Sequence, residues 1–262
     1  MNVHATVFDR VVCGVDRSDA GIAAARVAGL VTTPDGLLTL VSANDPAAAV
    51  HAGWNMAKVL EQLAVEARDA LEQGRTEAEP LHPLEGKLVE GDPLQCLFAE
   101  IAAQAATTVV VGSHGISRMT GIALGAVSTY LLHDAPCSVL IARGSVDPKR
   151  WPRRIVVGVD GSPDSARAVE ATTALAARFD AEVRAILATK DARLDLNAAR
   201  RLAPSCEEHE GKALDILSVA SEAADLVVVG SRGLRGIRAL GSLSERIAHE
   251  ARCSVLVVRS RD

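Results

Sequence analysis

The chain carries one layout twice, and no other feature constrains its fold as tightly. Val11–Asp16 reads VVCGVD and Ile155–Asp160 reads IVVGVD, while the VVVGS of Val109–Ser113 returns unchanged at Val227–Ser231. Leu124–Leu140 recurs as Leu240–Leu256 with 9 of 17 positions identical. A repeat of this size is a whole domain and not a solenoid unit, so the sequence has to build one fold twice. Residues 1–145 and 151–262 are the expected domains, and a chain of 262 residues gives each enough length for its own core.

Within each copy, short unbroken runs of Val, Leu and Ile alternate with helical spacings. Val11–Val15, Leu37–Ala43, Lys87–Val89, Thr108–Val111 and Ser138–Ala142 read as strands in the first copy. Trp54–Leu71 and Val127–His133 read as helices, and Leu94, Leu97, Phe98, Ile101, Ala102 and Ala105 fall on one helical face. Strands without polar alternation are covered on both faces, as in parallel sheets. The expected class is therefore α/β: two tandem open, mostly parallel five-stranded sheets with helices on both faces, Rossmann-like in plan. The second copy is shorter. The offset between copies falls from 145 at Ala43/Ala188 to 118 at Gly112/Gly230, so 27 residues are missing between the second and fourth strands. It falls again to 116 at Gly125/Gly241, which removes two more from the following loop. A stunted second helix and a short or absent third strand are expected there. The join, Gly144–Arg154, is too short to let the copies swing freely. The two fifth strands, Ser138–Ala142 and Ser254–Val258, are apolar edges that need covering, and pairing them would make the copies an internal pseudo-dimer.

Bulk properties exclude several function classes. A net charge of −5 argues against a general nucleic-acid binder. Five cysteines without CxxC spacing argue against zinc or a disulfide frame, and only 2% aromatic residues leave the cores to Ala, Val, Leu and Ile. No basic stretch leads into an apolar one at the start, and no apolar run is long enough for a bilayer, so a cytoplasmic chain with no membrane partner is expected.

The chemistry concentrates after the fourth strand. Gly112-Ser113-His114-Gly115 leaves the strand, and Gly125-Ala126-Val127-Ser128 opens a helix. Ligands of open parallel sheets sit beyond the carboxyl ends of strands. Glycines let amides approach a phosphate, and a helix start adds unpaired N–H groups and partial positive charge. Ser128 either caps the helix or bonds a phosphate oxygen. Of the other polar residues, His114 and nearby Arg118 are open to meeting a phosphate, with a turn residue the favoured reading of His114, and His133 and His249 read as helix-end residues favoured by the macrodipole.

The Gly112, Gly115, Gly125 spacing, the opening strands ending in Val-Asp at Asp16 and Asp160, and the endings APCSVLIA and ARCSVLVV together resemble the universal stress proteins in tandem form. The resemblance spans nearly the whole chain. It implies ATP, with or without Mg2+, held between the first, second and fourth strand ends. Asp16 and the backbone near Ala43 would lie at the adenosine, and Gly112, Gly115, Gly125, Ala126, Val127 and Ser128 at the ribose and phosphates. The second copy would use Asp160, Gly230, Gly233, Gly241, Ser242 and Ser244. Two departures matter. Ala126 stands where the family has Ser or Thr, which removes one hydrogen bond to a charged group and about tenfold in affinity. In the second copy Gly241-Ser242 fits, but the loop before it is two residues short, and Arg232, Arg235 and Arg238 either compensate or are solvated. Loop length positions every amide at once, so the first copy is the expected binder.

Three functions compete. The favoured one is a nucleotide-binding stress-response protein that uses ATP as a switch or tag. The second is an interaction module, a pseudo-dimer with decayed sites that works through a protein partner, with homodimerisation of the whole chain also open. The third is an adenine-nucleotide hydrolase, at most a slow ATPase. Asp160–Ser165 lacks part of the SGGxDS loop, and no nucleophile, base and oxyanion set is present in the sequence.

Overall fold

The computed structural model describes residues 7–47, 56–78, 83–115, 124–190, 194–231 and 242–260. The first copy runs β1 (Arg10–Gly14), α1 (Asp19–Val31), β2 (Leu37–Asn44), α2 (Met56–Ala78), β3 (Leu84–Glu90), α3 (Pro93–Ala103), β4 (Thr108–Gly112), α4 (Ala126–Asp134) and β5 (Ser138–Ala142). The second runs β6 (Arg154–Gly158), α5 (Pro163–Phe179), β7 (Glu182–Ala188), α6 (Leu196–Leu202), β8 (Glu207–His209), α7 (Ala213–Ala220), a 3-10 turn at Ser221–Ala223, β9 (Leu226–Gly230), α8 (Leu243–Glu250) and β10 (Ser254–Val258). The shortening falls where the offset places it: α6 has 7 residues against 23 in α2, and β8 has 3 against 7 in β3.

All ten strands form one sheet in the order β3-β2-β1-β4-β5-β10-β9-β6-β7-β8. Pairing is parallel within each copy and antiparallel only at the seam, where Val139 faces Val257, Leu140 faces Leu256 and Ile141 faces Val255. Each fifth strand thus buries the other's apolar edge, as expected of an internal pseudo-dimer.

Strand alternation sorts the core into two layers that each run through both copies. On one face Cys13, Leu40, Leu140, Leu256 and Val157 pack under α1, α2, α5 and α6; on the other Val12, Val109, Ile141, Val255 and Val227 pack under α3, α4, α7 and α8. Small side chains do much of this work. Ala23, Ala24, Ala25, Val27 and Ala28 form the buried face of α1, which lets that helix lie close on the strands. The join between copies is anchored to both of them. Val146 is buried and its carbonyl accepts from Arg26 Nη1 of α1 at 2.8 Å. Trp151 is buried and donates from Nε1 to the Asp225 carbonyl at 3.2 Å, while Asp225 Oδ2 accepts from the Arg153 and Arg154 amides.

Candidate functional site

In the first copy three chain segments meet beyond the carboxyl ends of β1 and β4. The first is the turn into α1. Ser18 caps that helix, its Oγ accepting from Gly21 N at 3.0 Å and donating to Asp16 Oδ1 at 2.5 Å, and Asp16 Oδ1 also accepts from Ser18 N. This fixes the Asp16 carboxylate, half-buried, over the end of β1. The second segment is the glycine loop. A side chain at Gly115 would begin 2.8 Å from Asp16 Oδ2, so the second carboxylate oxygen faces the loop. Gly112 is glycine because α1 crosses the strand end: a Cβ there would lie 2.6 Å from the Ala20 carbonyl carbon. Gly230 meets Asp164 in the same way at 2.4 Å, so the close approach is common to both copies. The third segment is the start of α4. Gly125 is its N-cap, donates from its own amide to the Ser113 carbonyl at 2.8 Å, and stands so close to the loop that a Cβ would come within 3.3 Å of His114 Cα. Having no side chain, Gly125 offers no oxygen to the first-turn amides of Ala126 and Val127. Asp16, Gly112, Gly115 and Gly125 are therefore brought together, with Ala43 at the end of neighbouring β2.

Ser128 does something other than donate to a phosphate. It is 3% exposed, and its Oγ donates to the Gly112 carbonyl at 2.7 Å, tying α4 back onto the strand end. That scaffolding bond is neither of the two roles, cap or phosphate contact, that the sequence leaves open for Ser128. His114 bonds through Nδ1 to Ser113 Oγ at 2.9 Å, consistent with a turn residue. Among the described residues no group of His, Cys, Asp or Glu is arranged to hold a metal ion, and no disulfide joins two cysteines.

Comparison with known proteins decides the family. The Universal stress protein family model matches residues 8–143, 152–216 and 203–259. The chain belongs to this family. A universal stress protein of Mycolicibacterium smegmatis is 31% identical over 96% of this chain and 97% of its own length. One from Mycobacterium tuberculosis is 34% identical over 59% of this chain and 62% of its own. The solved universal stress protein from Archaeoglobus fulgidus shares the fold with a TM-score of 0.71 at 21% identity, covering 97% of this chain and 99% of that one. No helix among the described residues is long and apolar enough to cross a membrane.

The second universal stress protein fold is built on the same plan but is more closed at both elements of the site. Asp160 Oδ1 accepts from Ser162 N at 3.0 Å, matching Asp16, and Ser162 caps α5. Here, however, α6 closes over the turn. Asp195 N donates to the Asp160 carbonyl at 3.0 Å, and Gly161, at φ +81°, has the Asp195 carbonyl oxygen 2.4 Å from where a Cβ would be. Only glycine fits that backbone and that approach. Arg17, the first-copy counterpart, instead points its guanidinium to Glu66 of α2 at 3.7 Å. At the other element, Ser242 is the N-cap of α8. Its Oγ accepts from Glu245 N at 3.3 Å and contacts Ser244 Oγ at 3.1 Å. The Ser242 oxygen thus accepts from its own helix, and its proton is left to Ser244 Oγ or to another acceptor. Gly233, Gly241 and the three loop arginines, Arg232, Arg235 and Arg238, lie outside the described residues, as does Arg118.

Sequence reasoning missed the contacts that tie α4 and α8 together. His133 and His249 are not simply helix-end residues. His133 Nε2 bonds Glu245 Oε1 of α8 at 2.9 Å across the seam, both side chains being 12% exposed. Burial, with Arg143 and His133 adding to it, holds the His249 imidazole below its ordinary pKa against the opposing pull of Glu245 and Glu250. Arg143 and Arg259, one residue past β5 and β10, each reach into the other copy. Arg143 donates to the carbonyls of Ala248, His249 and Ala251 at the end of α8, and Arg259 to those of Leu132 and Ala135 at the end of α4. Burial lowers the Arg143 pKa to about 10, which leaves it charged at neutral pH. The available signal was that 143 and 259 stand at the same 116-residue offset as Gly125 and Gly241.

Proposed function

We propose that the first copy binds an adenine nucleotide, ATP, with Mg2+ entering as the triphosphate's counter-ion, and that occupancy serves as a switch or tag in a cytoplasmic stress response. The observation that carries this reading is the contrast at the two equivalent helix starts. The α4 N-cap is a glycine with no side chain to offer its first-turn amides, set against a glycine loop that faces Asp16. The α8 N-cap is a serine that bonds a first-turn amide of its own helix, and Glu245 already supplies negative charge in that turn. A phosphate group fits the first arrangement, where the N-cap has no side chain to bond the first-turn amides, and competes with a carboxylate in the second. Ala43, Asp16, Gly112, Gly115, Gly125, Ala126 and Val127 are the residues proposed at the nucleotide. Adenine rests on the family, and phosphate binding on the geometry.

Calorimetry with ATP and magnesium tests this on the parent chain and two variants. Gly125→Val places a branched side chain against His114 and the phosphate position and should abolish binding; Gly241→Val should leave most of it. The reverse result moves the site to the second copy. If the parent gives no heat and its denatured extract contains no ATP, ADP or AMP, the interaction-module reading takes over; the closed second copy already favours that reading for its half of the chain.

A further inference from the structure

The arginine pair across the seam is chemically symmetric but functionally unequal. Each backbone N–H donates to a serine of the partner fifth strand, Arg259 N to Ser138 Oγ at 3.1 Å and Arg143 N to Ser254 Oγ at 3.2 Å. Each guanidinium then takes carbonyls at the carboxyl end of the other copy's glycine-loop helix. Arg259 is 8% exposed, so the carbonyls it serves at Leu132 and Ala135 have little access to water as a substitute. The helix it holds is α4, only 9 residues, or about 14 Å, long. The opposite end of α4 is Gly125, at the proposed phosphate position. Arg143 holds α8, whose opposite end is capped by Ser242.

We propose that Arg259, a residue of the second copy, is a positioning residue for nucleotide bound in the first. This rests on the nucleotide reading above. By pinning the last turn of α4, Arg259 sets where the Ala126 and Val127 amides point, and it places a cation at the negative end of the same dipole whose positive end would meet phosphate. The first copy's site is then complete only when the second copy is packed against it, which gives the tandem arrangement a role even where the second copy binds nothing.

The test uses four full-length variants, Arg259→Ala, Arg259→Lys, Arg143→Ala and Arg143→Lys, with melting temperature and the Kd for ATP with magnesium measured on each. Both alanine variants should melt lower, because each loses the guanidinium contacts to the end of the opposite copy's helix. Arg259→Ala should bind ATP roughly three- to tenfold more weakly, and Arg259→Lys should recover much of that loss. Arg143→Ala should keep its Kd within about twofold of the parent, since its helix lies outside the proposed site. Equal Kd changes for the two arginines, or a lowered melting temperature for Arg259→Ala at unchanged Kd, overturns the inference and leaves both residues as fasteners of the seam. Should Arg259→Ala fail to fold, the same contrast is read from the two lysine variants. A parent chain that takes up no ATP overturns the nucleotide reading itself, a result distinct from binding that ignores Arg259.

Discussion

α4 and α8 are the same helix in two copies, and the difference that bears on the site lies in their first turns. Both pack on the same face of one sheet, both touch across the seam, and both have their last carbonyls taken by an arginine from the other copy. At the start, α4 has Gly125 as N-cap, whereas α8 begins one position later in the repeat, with Ser242 as cap and Glu245 in the first turn. One residue of register at a helix start therefore separates an end without a side-chain cap from one that a serine caps.

The largest expected effect probes what the two helices share. Leu140 and Leu256 face each other across the seam, and neither has exposed surface. Leu140→Ala and Leu256→Ala should each cost about 2–5 kcal/mol in urea denaturation. If the seam makes the copies one cooperative unit, each variant shifts a single transition. Two separable transitions would break the comparison, because the copies would then be independent neighbours.

The next effect isolates the difference. Ser242→Ala removes the cap of α8 and should cost about 1 kcal/mol of stability. ATP affinity should not change, since the proposed site lies in the first copy. A weakened Kd would instead show that Ser242 serves phosphate and would reverse the roles of the copies.

The smallest effect comes from His249, which is half-buried on α8 beside Glu245, Arg143, His133 and Glu250. Its pKa is lowered in the folded chain, chiefly by burial, so the unfolded chain takes up the proton first. Stability tied to His249 is therefore present above about pH 6.5 and is lost as pH falls from there toward the folded value. His249→Gln should flatten that part of a melting-temperature profile between pH 7.5 and 5.5. An unchanged slope would place the titration elsewhere in the cluster.

The repeat itself fixed a great deal. Internal homology, the apolar runs and the falling offset were enough for two tandem α/β folds, a shortened α6 and β8, a seam through the fifth strands, and a glycine loop feeding a helix beside Asp16. These are legible because they follow from local spacing and from equivalence between copies. The extensions of β3 to Leu84 and of α2 to Ala78 were not, since Gly86 and polar residues such as Gln73 and Thr76 carry little periodic signal of their own and are held by neighbouring elements. Tertiary structure alone decided the choice between bonding partners. By sequence Ser128 reads as a cap or a phosphate contact, and only the fold brings its hydroxyl to the Gly112 carbonyl. Ser242 matches a phosphate-binding pattern, and the chain geometry also gives its oxygen the role of a cap. Arg143, Arg259 and the His133–Glu245 pair join residues more than 100 positions apart. A repeat shows which residues are equivalent; which residues touch across a pseudo-twofold seam depends on the packing of the two copies, because hydrogen bonds are set by distances in the folded chain and not by position along it.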